Sequence, residues 1–366
     1  MKLVVFGLSV SSSWGNGHAT LWRGLIRALG NLGHRVVFFE RDAPYYAQHR
    51  DLTEIPGGDL ILYQQWNETR HLAEHHLADA DVGMVTSYCP DAIVAGELVL
   101  SSPARIRCFY DLDSGITINS LRAGRPVPYI PERGLADYDL VLSYTGGQAL
   151  TELKSRLGAR HVAPLYGSVD PQIHHPAPPE ERFRGDLSYL GTYSPDRQTT
   201  LDELFLEPAR RRPNLRFVMG GPQYPGEFPW TDNLFFIPHV PPAEHPAFYC
   251  SSRLTLSVTR QPMAEMGYCP SGRLFEAAAC GVPIISDEWE GIDYFFEPGV
   301  EILIARTTGH VLDALDCSPE ELARIARAGR ERALAMHTAE RRVLELENVL
   351  EAALSLPVEA TGGTGA

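Results

Sequence analysis

With 366 residues, 44% of them apolar and 21% charged, the chain has the composition of a globular protein long enough for two α/β domains, which excludes a disordered chain or a coiled coil. A formal charge of −14 argues against a general nucleic-acid binder, which needs a basic face that no Arg cluster here provides, but leaves room for a local pocket that takes one small anion. Six cysteines without C-x-x-C spacing fit neither a zinc ribbon nor a disulfide framework, no apolar run reaches membrane-spanning length, and MKLVVFGLSV lacks the basic start of a signal peptide. These features predict reduced thiols, a cytoplasmic location, no membrane span and no nucleic-acid partner.

KLVVFGL opens the chain as an apolar strand, the Gly- and Ser-rich loop SVSSSWGNG follows, and a helix from His18 to Leu32 stops at Gly33 before the strand HRVVFFE. This is a βαβ unit. Gly15 and Gly17 allow backbone to approach a ligand closely, with Asn16 between them, and His18 stands at the helix N-terminus facing whatever the loop encloses. Glu40 ends the second strand where the ribose-binding acid of a dinucleotide fingerprint would lie, although G-N-G-H-A-T lacks the third glycine and follows a long loop. His18 also suits a plain capping role. LILYQ, DVGMVTS, RIRCFYDLD and LVLSYTG read as further strands, separated by helical stretches such as Asp91 to Leu100, and complete one doubly wound sheet. Ligands collect at the carboxyl ends of such strands, where Asp111 and Asp113 follow CFY; either can accept a proton, hold a hydroxyl or cap the next helix.

Residues 164 to 185 contain five prolines and no periodic apolar pattern, and read as a linker. His174 and His175 within it point to different sides and have no third ligand in view, so they read as linker residues and no metal site is predicted. LSYLGTY, a helix around Asp196 to Arg210, RFVMGGP, NLFFIPHV, LTLSVTR, PIISDEW and EILIA then repeat the α/β pattern. Arg197 lies in the first turn of its helix, able to reach an anion or simply to face solvent. From Thr307 to Leu354 the chain is helical and amphipathic, with solvated Arg-rich faces such as ELARIARAGRER, and TGGTGA at the end reads as disordered.

The densest set of unusual residue choices runs from Ser257 to Ala305. A short apolar strand, the breaker loop GYCPSG, a helix beginning near Ser271 and stopping at Cys280 and Gly281, and a buried strand form half of a parallel unit. Unpaired N–H groups and the dipole make the helix tip at Ser271 and Gly272 an anion site, to which Arg260 and Arg273 each add a charge-assisted bond. Glu276, one turn on, repels phosphate but suits a ribose diol, so the pair describes a nucleoside diphosphate. The same spacing also suits a surface Glu276 paired with Arg273 at i, i+3.

SVTR and GYCPSGRLFEAAACGVPIISDEWEGIDYFFEPG resemble the C-terminal half of the CgeB-like glycosyltransferases, a family of GT-B architecture; SSSWGNGHAT, FFERDAPYYAQHRD, CFYDLDSGIT, SYTGG and PLYGSVDP are similar to that family too. The resemblance implies a GT-B fold: two Rossmann-like doubly wound α/β domains facing a central cleft. The implied boundaries are 1–169 for an acceptor-side domain, 170–185 for the linker, 186–338 for a nucleotide-sugar-binding domain, 339–355 for a helix returning to the first domain, and 356–366 for a disordered tail. The resemblance further implies transfer of a hexosyl-type sugar from a nucleotide-diphosphate donor to a small-molecule or glycan acceptor, without metal or other cofactor. Glu276 would hold the donor ribose, His239 and Val240 the base through backbone groups, and Ser271, Gly272, Arg273, Arg260 and Arg197 the diphosphate. His18 or Asp113 would be the base, with Gly15, Asn16, Gly17 and Asp111 on the acceptor side. Many retaining GT-B enzymes carry a second Glu eight positions before the ribose-binding one; Tyr268 stands there instead. A nucleotide-sugar epimerase or hydrolase, or a non-catalytic carbohydrate-binding or coat protein, are the competing readings.

Overall fold

The computed structural model describes residues 1–355, so the TGGTGA tail lies outside the described residues. Apolar runs that read as buried strands build two wholly parallel sheets. The first contains β1 (Lys2–Gly7), β2 (Arg35–Arg41), β3 (Gly58–Tyr63), β4 (Val82–Thr86), β5 (Ile106–Asp111), β6 (Leu140–Ser143) and β7 (Val162–Pro164), in the order β3-β2-β1-β4-β5-β6-β7. The second contains β8 (Gly185–Leu190), β9 (Phe217–Gly220), β10 (Leu234–Ile237), β11 (Ser252–Ser257), β12 (Ile284–Asp287) and β13 (Leu303–Ala305), in the order β10-β9-β8-β11-β12-β13. Both orders reverse beside the first strand of the sheet, between β1 and β4 and between β8 and β11, which opens a crevice at the carboxyl ends there. Each sheet is covered by helices on both faces, with one apolar cluster on each side of it.

The last helix, Ala339–Leu354, buries Ala339, Val343, Leu346 and Leu350 in the same cluster as Leu21, Leu25 and Leu29 of the first sheet's opening helix. The chain therefore crosses between the two units twice, side by side: the Val169 N–H donates to the His337 carbonyl at 2.9 Å and the Ala339 N–H to the Val169 carbonyl at 2.8 Å. Buried Arg342 ties the crossing by donating to the Gly167 carbonyl at 2.9 and 3.2 Å. Further contact comes from the Gly146 and Gln148 N–H groups, which donate to the Tyr268 and Met266 carbonyls at 2.9 and 3.0 Å. Tyr268 has a φ of 47°, its ring lies against Gly147 and Gly291 and its Cβ against Gly146, so it packs the seam between the units.

Three elements differ from the sequence reading. The strand β7 is only three residues long and was not expected. The helix read at 196–210 is broken into a 3₁₀ turn, two short α segments and a π segment at Asp202–Leu206. The proline-rich segment is also not a free tether: its prolines stop regular structure, but the Ala177 and Glu180 N–H groups donate to Cys250 Sγ and Ser251 Oγ, and His174 is 2% exposed.

Candidate functional site

The two crevices face each other across one cleft of about 600 Å³. Gly15, Asn16, Gly17, His18 and Asp113 line it from the first unit, and Arg197, His239, Val240, Arg260, Ser271, Gly272, Arg273 and Glu276 from the second. Asp111 does not reach it. The Asp111 side chain is fully buried, accepts the Asp113 N–H at 3.0 Å and has one oxygen without a partner; burial pushes its carboxyl up to about 6. Its place is beneath the loop that presents Asp113, because the strand alternation turns it inward.

On the first unit, His18 Nε2 lies 2.9 Å from Asp113 Oδ2, a hydrogen-bonded pair joining the ends of two distant segments. Asn16 fixes the entry to the His18 helix: its Oδ1 accepts the His18 N–H at 3.1 Å, and its Nδ2 donates to the Ser9 and Ser12 carbonyls. Glu40 overturns the dinucleotide reading. It is 1% exposed, and its two oxygens accept four bonds at 2.6 to 2.9 Å, from the Ser9 and Ser11 hydroxyls and the Val10 and Ser11 N–H groups. All of its carboxylate goes into folding the loop, so none remains for a ribose. Tyr88 was missed by the sequence reading: it adopts a φ of 61°, unusual for a bulky residue, and sets its ring edge-on to His18 at 5.8 Å.

On the second unit, the Gly272–Ala279 helix points its N-terminus into the cleft. Ser271 does not cap it; its Oγ accepts Arg273 Nε at 3.0 Å. The Arg273 guanidinium then bridges the switch point of the second sheet, donating to the Leu190 carbonyl and, at 3.3 Å, to the Val258 carbonyl. Glycine at 191 leaves room for this guanidinium, since a Cβ there would lie 2.6 Å from Arg273 Nη1 and displace it. Arg197 donates to the Thr192 carbonyl at 2.9 Å and leaves Nε unpartnered. Neither Arg197 nor Arg273 has a carboxylate within 4.0 Å among the described residues, whereas Arg260 is held by Asp196 at 2.8 Å and has its charge already offset.

Glu276 is 6% exposed and not paired with Arg273, so the surface alternative falls. Its Oε2 faces inward to the Tyr249 hydroxyl at 3.3 Å, His245 Nδ1 at 3.3 Å and His174 Nε2 at 3.9 Å. Its Oε1 is on the side of Gly272, whose added Cβ would meet that oxygen at 3.9 Å. Burial raises the Glu276 carboxyl, but nearby imidazoles and Arg273 outweigh it and hold the carboxyl well below its usual range. Burial also pulls His174 down to about 4, so that ring is neutral at pH 7, and Arg273 is the permanent cation among the neighbours of Glu276.

His174 thus lies buried directly behind Glu276 rather than in a free linker, a correction to its reading from the sequence. The possible ligand atoms of His174, His245 and Glu276 all lie within 4.8 Å of one another. Tetrahedral zinc with bonds of about 2.0–2.1 Å draws its ligands to about 3.3 Å from each other, so this spacing is wider than a formed zinc site. Val240 presents its carbonyl to His245 Nε2 at 3.2 Å, and the His239 ring packs at a tilt, 4.6 Å between centroids, against Trp14 from the opposite unit. His245 and Tyr249 carried no sequence signal, since their partner is about 30 residues away on another helix.

Residues 197–348 match the family model described as "Glycosyl transferase-like". No curated protein matches the chain. Among solved structures it is similar to sucrose-phosphate synthase from Thermosynechococcus elongatus, at 15% identity and a TM-score of 0.69, over 96% of this chain and 99% of that one. HepE of Anabaena in complex with UDP-glucose is 12% identical with a TM-score of 0.65, over 96% and 100% of the two chains. An alpha-glucosyltransferase in complex with UDP-glucose and DNA containing an abasic site is 11% identical with a TM-score of 0.70, over 96% and 99%. The chain therefore has the GT-B glycosyltransferase fold, and structures that share this fold hold a UDP-sugar. Among the described residues no helix is long and apolar enough to cross a membrane.

Proposed function

We propose that this chain is a glycosyltransferase that moves a hexosyl-type sugar from a nucleotide-diphosphate donor to a small-molecule or glycan acceptor. The observation that carries this reading is the pair of guanidiniums, Arg197 and Arg273, without carboxylate partners at the switch point of the second sheet. Half-buried cations without anions favour an anionic ligand, and the helix tip at Ser271 and Gly272 adds unpaired N–H groups on the same wall. Glu276 takes the ribose, and His239 with Val240 borders the base. Arg260 contributes less, because Asp196 already neutralises it. These groups supply the positive charge for the departing diphosphate, so the transfer is metal-independent.

On the facing wall the His18–Asp113 pair accepts the acceptor hydroxyl proton as that oxygen bonds the sugar's anomeric carbon and the carbon–oxygen bond to the diphosphate breaks. Gly15 and Gly17 leave room for the acceptor. In this account residues 1–169 carry the acceptor, 170–185 connect, 186–338 carry the donor, and 339–355 return to the first unit. The Ser257–Ala305 block favours the CgeB-like branch, and six free cysteines suit a cytoplasmic protein. Two solved structures with this fold hold DNA, but a charge of −14 disfavours a nucleic-acid acceptor here.

Turnover of a panel of nucleotide sugars, followed as release of nucleoside diphosphate with and without a panel of sugar and polyol acceptors, tests this. Release that depends on an acceptor is expected. Equal release without any acceptor supports a hydrolase, interconversion of the sugar without release supports an epimerase, and tight binding without either change supports a binding protein.

A further inference from the structure

We propose that Tyr88 is an acceptor-binding residue whose ring carries the apolar face of a pyranose, an inference that names the acceptor class for the glycosyltransferase reading above and rests on it. Tyr88 follows β4 at the switch point of the first sheet and lines the cleft on the same wall as His18 and Asp113. It is 36% exposed, and its ring centroid lies 5.8 Å from that of His18. A φ of 61° is a costly backbone state for a bulky side chain, and such states persist where the surroundings impose them, which is most often at ligand sites.

Neighbours on both sides hold Tyr88 in this state. The Ser87 N–H donates to the Tyr110 carbonyl at 3.0 Å and the Ser87 hydroxyl accepts the Leu112 N–H at 2.9 Å, which ties the loop to the end of β5, while the Cys89 N–H closes a turn onto the Thr86 carbonyl at 3.3 Å. Buried Tyr129 packs against the ring at 4.9 Å between centroids, and its hydroxyl bonds Thr117 Oγ1 at 2.8 Å, in the helix Ser114–Arg122 that follows Asp113. The ring is thus fixed relative to the proton-accepting pair, as a surface that orients an acceptor hydroxyl must be.

An aromatic face is apolar and electron-rich, and suits the weakly positive C–H groups on one face of a sugar ring. The wall around it is polar: Ser13, Asn16, His18 and Asp113 border the same cleft and meet hydroxyls at the rim of such a ring. One apolar face with a hydroxyl rim describes a pyranose better than an open-chain polyol, which has no flat face, or a flat aromatic, which leaves those polar groups unmatched.

Initial rates with the nucleotide sugar that the parent turns over, on methyl glucoside, methyl galactoside and methyl mannoside against sorbitol and 4-nitrophenol, read this preference. The parent should favour at least one pyranoside over sorbitol by about tenfold in kcat/KM. Tyr88→Leu should lose most of that preference through a higher KM for the pyranoside, Tyr88→Phe should keep it, and calorimetry should find nucleoside diphosphate affinity near the parent's in both. Thermal unfolding checks each variant, and Tyr88→Asn, which tolerates the positive φ, replaces Tyr88→Leu if the latter does not fold. A ratio of two acceptors on one enzyme is not moved by a loss of folded protein alone. The same pyranoside preference in Tyr88→Leu as in the parent would overturn the proposal, as would a parent that prefers sorbitol or 4-nitrophenol, or that transfers to neither these nor the pyranosides but to another acceptor. Release of nucleoside diphosphate that no acceptor alters removes the glycosyltransferase reading itself, and the proposal with it.

Discussion

His18→Ala and Asp113→Asn should each lower turnover by ~10²- to 10⁴-fold while leaving nucleoside diphosphate affinity nearly unchanged, since both side chains stand on the wall opposite the donor pocket. The double variant should be no slower than the worse single. His18 Nε2 and Asp113 Oδ2 are 2.9 Å apart and act as one unit, so removing either already breaks the proton path. Asp113→Asn keeps the shape but replaces a carboxylate oxygen that accepts from imidazole, which separates charge from packing. Steady-state kinetics on the three variants, with calorimetry for the diphosphate, is the check. Losses that multiply in the double variant would mean two independent roles, and full activity in both singles would place the acceptor elsewhere.

Arg273→Ala should weaken nucleoside diphosphate by about 2 kcal/mol more than it weakens the uncharged nucleoside, the difference being the charge-assisted bond to phosphate. It should also lower the thermal midpoint, because the guanidinium bridges the Leu190 and Val258 carbonyls and the Ser271 hydroxyl. Arg273→Lys separates the two effects: an ammonium keeps the charge but lacks the fork that spans both carbonyls. Calorimetry with diphosphate and nucleoside on each variant reads the contrast. An equal loss for both ligands would show that Arg273 acts only by holding the strand ends together.

Much of this arrangement was legible in the chain, for identifiable reasons. Buried parallel strands are continuous apolar runs, so KLVVFG, RVVFFE and IRCFYD announce themselves. Ser271, Gly272, Arg273 and Glu276 are neighbours in one helix, where spacing alone dictates which side chains share a face. What spacing cannot report is partners far apart in sequence. His18 and Asp113 were separate candidates, yet 95 positions apart they form one pair; Arg260 seemed free for phosphate until Asp196, 64 positions earlier, was found on it.

The misreadings have the same origin. Glu40 looked like a ribose acid by its place at a strand end, but Ser9 and Ser11, about 30 positions earlier, claim it. His174 looked like a linker residue because prolines surround it, whereas its burial depends on a helix a hundred residues on. Asp111 was grouped with Asp113 although the strand ends at Asp111, which is buried, while Asp113 stands beyond it at the start of the next helix, where the turn exposes it to the cleft.

The central claim is that the cleft holds a nucleoside diphosphate with its ribose on Glu276. Calorimetric titration of the parent and of Glu276→Gln with the ribonucleoside diphosphate that the parent binds tests it most directly, provided the variant unfolds at a normal temperature. Gln keeps the size of the side chain but removes the charge that accepts ribose hydroxyls, and the account predicts at least about tenfold weaker binding, with little change for the 2′,3′-dideoxy form. Equal affinity of parent and variant for the ribonucleotide would contradict the account.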